Sequence, residues 1–132
     1  MRHLARRYAL PPLGRARGLG SAGQGSHEWW RQRVTAVALI PLTLWFAVSA
    51  ARLPGLDHGA VVTWIKAPWN SLLLLSFIIA VAYHTVLGLT VIIEDYVHTD
   101  WLKLASLLGM KLTFYFLGLA AVYATVRIIL AS

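Results

Sequence analysis

The order of apolar and polar residues divides the chain into three long apolar blocks. They cover residues 34–51, 72–93 and roughly 112–130, each close to the ~20 residues that a helix needs to cross about 30 Å of hydrocarbon. Strands of a membrane barrel would alternate apolar and polar side chains, whereas four leucines at 72–75 are followed closely by Phe77, Ile78 and Ile79. The pattern therefore predicts an all-α integral membrane protein with three transmembrane helices.

Composition supports a place in the membrane and limits the chemistry. Of the 132 residues, 58% are hydrophobic and only 13% are charged, which is too apolar for a small water-soluble domain. The chain has no cysteine, so it cannot by itself supply a disulfide or the thiolates of a zinc or iron–sulfur centre. Any redox centre in this chain must use other ligands.

The net charge of +7 is concentrated at the N-terminus. Seven of the twelve basic residues precede Val34, namely Arg2, Arg6, Arg7, Arg15, Arg17, Arg31 and Arg33. Basic residues next to a span favour the cytoplasmic side, so we interpret the charge as a topology signal rather than a nucleic-acid-binding surface. The N-terminus is then cytoplasmic, the connection at 52–70 lies outside, and the connection at 94–111 lies inside.

These features divide the chain into two parts. Residues 1–33 are predicted to be a basic tail and interfacial segment, in which Trp29 and Trp30 anchor the first span, and residues 34–132 are predicted to be a three-helix transmembrane anchor domain. The first 26 residues are rich in Arg, Gly and Pro and contain no acid, which predicts poor order. An organellar transit peptide is the alternative interpretation of this tail.

His84 is the only histidine inside an apolar block. Ionisable residues within a membrane are costly and are therefore functional candidates, and three interpretations stay open for His84: a haem ligand, a proton relay, or a histidine bonded to the backbone or hydroxyl of a neighbouring helix. Gly88, one turn further on the same face, leaves room for a flat macrocycle or for a second helix. Because the other histidines lie outside the blocks, a second axial ligand would come from another chain.

Asp95 and Tyr96 follow at the end of the second block. Asp95 is eleven positions after His84, about three helical turns, so both project from nearly the same face with a rise of roughly 16 Å between them. The Tyr96 phenol is a hydrogen-bond donor suited to a quinone carbonyl, with Asp95 holding the phenol or a nearby Arg in place. An interfacial tyrosine beside a helix-end carboxylate is the alternative.

The segment from Tyr83-His84-Thr85-Val86-Leu87-Gly88-Leu89 to Ile93-Glu94-Asp95-Tyr96-Val97 has a histidine, ten residues, and then Asp-Tyr. It resembles the second-helix signature of the smaller hydrophobic membrane anchor of succinate dehydrogenase, the respiratory complex II. Residues 27–36, with Arg33-Val34-Thr35-Ala36, are similar to the N-terminal signature of that family, and residues 17–22 are similar to the tails of its alphaproteobacterial members.

The resemblance implies a role for each of these residues. His84 would be an axial ligand to the iron of haem b, with the second, larger membrane anchor of the complex supplying the other, and Tyr96 would hydrogen-bond the substrate ubiquinone. Asp95 and Arg33 would be supporting groups near the quinone and the haem propionates.

The same resemblance implies a complex in which this chain is not catalytic alone. A flavoprotein subunit and an iron–sulfur subunit would oxidise succinate on the cytoplasmic side and pass electrons to ubiquinone near Tyr96. The chain would then lie in the bacterial inner membrane, or in the mitochondrial inner membrane for a mitochondrial homologue, as part of a heteromeric helix bundle.

Two rival functions can be distinguished from a haem-binding anchor by simple observations. A haem-free structural anchor would bind the soluble subunits but show no haem spectrum. A small drug or proton transporter would ordinarily couple through a membrane-embedded acid, and no Asp or Glu lies well inside any of the three blocks.

Overall fold

The computed structural model describes residues 21–132, with side chains from Ser26 onward. The described part contains four helices and no strand: α1 at Ser21–Arg52, α2 at His58–Lys66, α3 at Pro68–Tyr96 and α4 at Asp100–Leu130. Three stretches, Ser26–Arg52, Pro68–Tyr96 and Asp100–Leu130, are long and apolar enough to cross a membrane. The prediction of an all-α protein with three spans is confirmed, and the predictions for residues 1–20 lie outside the described residues.

Helix α4 begins much earlier than the apolar pattern predicted. Its first residue is Asp100 rather than Leu112, so the expected connection at 94–111 shrinks to residues 97–99 between α3 and α4. Lys103 and Lys111 lower the hydropathy of this stretch, but Leu, Lys, Ala and Met are all good helix formers. A hydropathy block marks the apolar part of a helix, whereas the backbone hydrogen bonds continue as long as the helix propensity is good.

The predicted outer connection at 52–70 contains the short helix α2. Asp57 is its N-cap, and its Oδ1 accepts a hydrogen bond from the backbone N–H of Ala60 at 3.0 Å. Trp64 of α2 stacks on Trp45 of α1 with ring centroids 5.7 Å apart. Lys66, in the last turn of α2, donates to the backbone carbonyl of Ala131 just beyond α4. Helix α2 therefore contacts all three spans, α1, α3 and α4, at the end of the helices opposite Tyr96.

The helices leave most of their apolar surface uncovered by this chain. From Ser26 onward, Val86 is the only buried hydrophobic residue, at 2% exposure. One stripe of α4 is exposed along its length and consists of Trp101, Leu104, Leu108, Leu112, Tyr115, Leu119 and Tyr123. Apolar surface of this extent must be covered by lipid or by other chains. The three spans therefore meet lipid or other chains over most of their surface and do not form a domain with its own core.

Close packing between α3 and α4 depends on a glycine. A Cβ atom added at Gly118 would lie 3.1 Å from Cβ of Ala82 on α3, whereas one added at Gly109 would meet nothing within 4 Å. On the other side of α3, Phe77 stacks on Phe46 of α1 with ring centroids 4.7 Å apart. Small residues let helix backbones approach closely in membranes, where dispersion contacts replace the hydrophobic effect.

Gly118→Ala is therefore expected to destabilise the α3–α4 pair, because the new methyl group would push the two helices apart at a cost of about 1–3 kcal/mol. Gly109→Ala is the matched control in the same helix, and it is expected to be neutral or slightly stabilising because Ala is the better helix former. Thermal unfolding of the detergent-purified complex measures the difference. Equal melting temperatures for the two variants would contradict the prediction.

Candidate functional site

His84 lies where α3 meets α1 and is half-buried. Its Nδ1 atom is 2.9 Å from Oγ1 of Thr35 on α1. The same hydroxyl donates to the backbone carbonyl of Gln32, three residues earlier, at 3.0 Å. The structure thus gives His84 the neighbouring-helix hydroxyl that one interpretation of the sequence expected. The Thr35 hydroxyl bonds one ring nitrogen of His84 and leaves the other ring nitrogen for a further contact. A histidine that ligates a metal through one ring nitrogen commonly hydrogen-bonds through the other.

A side chain of α1 lies against one side of Gly88. A Cβ atom at Gly88 would lie 3.4 Å from Nε2 of Gln32, which is a contact distance. Of the two interpretations of this glycine, the structure therefore supports close approach of a second helix. A planar group bound to His84 would have to approach from a side that Gln32 does not fill.

Neither Gln32 nor Thr35 was predicted as a site residue. Their spacing of three places both on one face of α1, at the edge of an apolar block where polar side chains are few. A histidine in the middle of a span needs a polar partner, and an Oγ or amide group on a neighbouring span is the nearest source. The sequence contained this signal, but it does not say which turn of α1 faces which turn of α3.

Asp95 and Tyr96 lie at a different place, the C-terminal end of α3. Tyr96 is the last residue of the helix and is 79% exposed, and Asp95 is exposed beside it. At a rise of 1.5 Å per residue, Asp95 is about 16 Å and Tyr96 about 18 Å along the helix from His84. The structure therefore does not bring them together with Thr35 and His84, and it leaves the phenol accessible to a ligand or another chain.

Arg33 follows Gln32 on α1 and is exposed. It precedes Thr35 by two residues, which rotates it by about 200° around the helix. Arg33 is thus on the same turn of α1 as Thr35, but its side chain leaves the helix on a different face. Its long side chain can still extend along the helix surface.

The donor set determines which kind of metal group is compatible with the site. Among the residues that the structure describes, no three His, Cys, Asp or Glu side chains are grouped so that they can hold a metal ion. A single imidazole within the apolar blocks, with one of its nitrogens already bonded, would be suited to one axial position on haem iron. The residues present are therefore compatible with haem and with a second ligand from another chain.

Comparison with known proteins agrees with a membrane anchor. The model of a family described as succinate dehydrogenase/fumarate reductase transmembrane subunit matches residues 10–118. A succinate dehydrogenase hydrophobic membrane anchor subunit of Rickettsia bellii is 35% identical over 98 residues, covering 74% of this chain and 78% of the relative. The subunit of the same name from Paracoccus denitrificans is 32% identical over 118 residues, covering 89% and 91%. No solved structure matches the chain significantly.

In the part of the chain that the structure describes, three long apolar helices bury almost no hydrophobic side chains against one another, which is typical of a multi-span membrane protein. The chain belongs to the succinate dehydrogenase/fumarate reductase transmembrane subunit family. The resemblance to the hydrophobic membrane anchor of succinate dehydrogenase, predicted from the histidine and Asp-Tyr motif, is thereby confirmed.

Proposed function

We propose that this chain is the anchor subunit of a succinate:ubiquinone oxidoreductase and provides His84 as one axial ligand of haem b. The observation that carries the proposal is the half-buried His84 at the α1–α3 contact, with Nδ1 held by Thr35, in a chain of this family. The flavoprotein and iron–sulfur subunits carry out succinate oxidation. The second membrane anchor would supply the other ligand to the haem iron, because this chain has only one histidine within its apolar blocks.

When bound, haem would supply a one-electron redox centre within the bilayer. The chain's own residues orient the ligand. His84 presents a ring nitrogen, Thr35 holds the opposite nitrogen, and Phe46 stacked on Phe77 fixes α1 against α3 two turns away. Arg33, on the same turn of α1 as Thr35, is the candidate partner for a haem propionate, since a guanidinium pairs well with a carboxylate.

Tyr96 is the proposed hydrogen-bond donor to ubiquinone. Its 79% exposure supports the proposal, because a residue that meets a lipid-soluble substrate between subunits is not covered by its own chain. The phenolic O–H donates to a quinone carbonyl oxygen. Asp95, one residue earlier, accepts a hydrogen bond from the phenol or from an Arg of a neighbouring subunit.

The proposed topology has Tyr96 on the cytoplasmic side of the inner membrane. The seven basic residues before Val34 favour a cytoplasmic N-terminus, and two crossings later the C-terminal end of α3 returns to the same side. The succinate-oxidising subunits then dock at the side where quinone is reduced. Trp29 and Trp30, just before the first apolar block, are then at the lipid interface on this side.

A haem-free structural anchor is the second candidate. A specific observation favours it: the Gln32 amide lies against Gly88, and the Thr35 hydroxyl is a hydrogen-bond partner of His84 from within the same chain. In that case the histidine would serve only to fix α1 against α3.

The two candidates are separated by purifying the complex through an affinity tag on this chain. We expect flavin, iron–sulfur protein and b-type haem to co-purify, and the preparation to reduce a short-chain ubiquinone with succinate. Mock purification from untagged membranes is the control. Flavin without haem would support the structural anchor, and absence of flavin together with absence of succinate-dependent activity would overturn the proposed function.

A further inference from the structure

The Thr35 hydroxyl stands between two acceptor-capable groups. Its Oγ1 is 3.0 Å from the carbonyl oxygen of Gln32 and 2.9 Å from Nδ1 of His84. A carbonyl oxygen only accepts hydrogen bonds, so the hydrogen in the bond to Gln32 comes from Thr35. A hydroxyl has a single hydrogen but two lone pairs, and therefore Thr35 is the acceptor in its bond with His84.

The direction of that bond defines the tautomer of His84. If Thr35 accepts, the hydrogen lies on Nδ1, and a neutral imidazole with its hydrogen on Nδ1 has a lone pair on Nε2. Nε2 is the nitrogen at the far end of the ring from the backbone. It is thus left in the only form in which it can bind a metal.

The position of the Thr35 oxygen is itself restrained. A threonine in a helix has few χ1 rotamers, and one of them directs Oγ1 to the carbonyl a turn earlier. The contact with Gln32 has this local geometry. The hydroxyl oxygen is therefore a fixed acceptor on the rigid backbone of α1 rather than a mobile side-chain group.

We propose that Thr35 is the positioning residue for His84, fixing its ring orientation and its Nδ1–H tautomer so that Nε2 is available to haem iron. The inference rests on the proposed function, in which His84 is the axial ligand. A hydrogen bond from Nδ1–H to an oxygen also raises the electron density of the ring and makes Nε2 a stronger donor. A stronger donor favours ferric over ferrous iron, so Thr35 lowers the haem midpoint potential.

The test compares Thr35→Val, which keeps the shape but removes the hydroxyl, with Thr35→Ser, which keeps the hydroxyl. Thr43→Val is the matched control, because Thr43 is an exposed residue on the same helix. Each complex is purified with all its subunits, and haem per flavin, the haem midpoint potential and the electron paramagnetic resonance g-values of the oxidised haem are measured.

In Thr35→Val we expect the preference of the site for ferric over ferrous haem to fall about tenfold. For a one-electron couple this is a rise of about 59 mV in the haem midpoint potential. The g-values should shift because the ring is no longer held, and haem per flavin should fall after mild washing in detergent. Thr35→Ser should restore all three quantities, and Thr43→Val should leave them unchanged. Thr35→Ala provides the same comparison where the valine complex does not accumulate.

Two results would overturn the proposal. An unchanged potential and unchanged g-values in assembled Thr35→Val or Thr35→Ala would show that the hydroxyl does not act on the haem ligand. A shift that Thr35→Ser fails to restore would assign the effect to packing of α1 against α3. Neither result would affect the proposed function, which fails separately if a complex without His84 keeps its haem.

Discussion

Replacing His84 by leucine is expected to remove the low-spin b-type signal from the reduced-minus-oxidised spectrum of the purified complex. Leucine fills a similar volume in the apolar span but has no lone pair, so the iron would lose the axial ligand that we propose this chain supplies. Removing a group that merely supports a metal ligand already weakens binding 10–100-fold, and loss of the ligand itself should lower haem per flavin by roughly tenfold or more.

His98→Leu is the control for this measurement. It is the same substitution at an exposed histidine in the short connection after α3, and it should leave the haem spectrum intact. Flavin content and succinate oxidation with a soluble acceptor establish that each complex has assembled. A normal low-spin spectrum in assembled His84→Leu would show that His84 is not the haem ligand. Its role would then be structural, as a hydrogen-bond partner of Thr35 between α3 and α1.

Tyr96→Phe is expected to impair ubiquinone reduction while leaving succinate oxidation intact. The substitution keeps the ring at the end of α3 and removes only the phenolic O–H that we propose as the donor to the quinone. A hydrogen bond worth about 1.4 kcal/mol corresponds to about tenfold in kcat/KM for the quinone. The rate with a soluble artificial electron acceptor should be unchanged, since that reaction bypasses the quinone site.

Tyr123→Phe removes the same hydroxyl from a tyrosine near the opposite end of the helices. Tyr123 is 62% exposed on α4 and lies beside Arg127, whose guanidinium carbon is 6.0 Å from the ring centroid. This control should reduce ubiquinone at the normal rate. Equal quinone kinetics for Tyr96→Phe and the unchanged complex would make Tyr96 an interfacial aromatic residue, which is the alternative interpretation of its position.

The spans were predictable because membrane insertion depends on the chemistry of consecutive side chains. About 20 apolar residues in a helix are sufficient to cross the bilayer whatever the helix packs against, and α1, α3 and α4 each contain such a block. Helix ends were less predictable. Helix α4 begins at Asp100 because residues 100–111 have good helix propensity despite Lys103 and Lys111. Helix α2 begins directly after its N-cap Asp57. A hydropathy pattern registers neither helix propensity nor a capping residue.

The candidate site was predictable in its chemistry but not in its contacts. His84 stands out because an ionisable group in an apolar block is costly. Asp95 and Tyr96 stand out because they follow soon after the end of that block. The partner of His84 could not be assigned, since Thr35 is forty-nine positions away in sequence. The choice between the two interpretations of Gly88 likewise depends on Gln32, which lies against it only in the folded chain.

By itself, the sequence determined that this is a three-span, all-helical membrane anchor of the succinate dehydrogenase/fumarate reductase family with one intramembrane histidine, because hydropathy and the spacing of motif residues are local properties of the chain. Only the tertiary structure decided which turn of α1 faces His84, and hence that Thr35 holds Nδ1 while Tyr96 stays exposed three turns away. The physical reason is that apolar helices can pack in many rotations and registers of similar energy. The choice among them depends on specific contacts, such as Gly118 against Ala82 and Phe46 against Phe77, that form only when the helices are together.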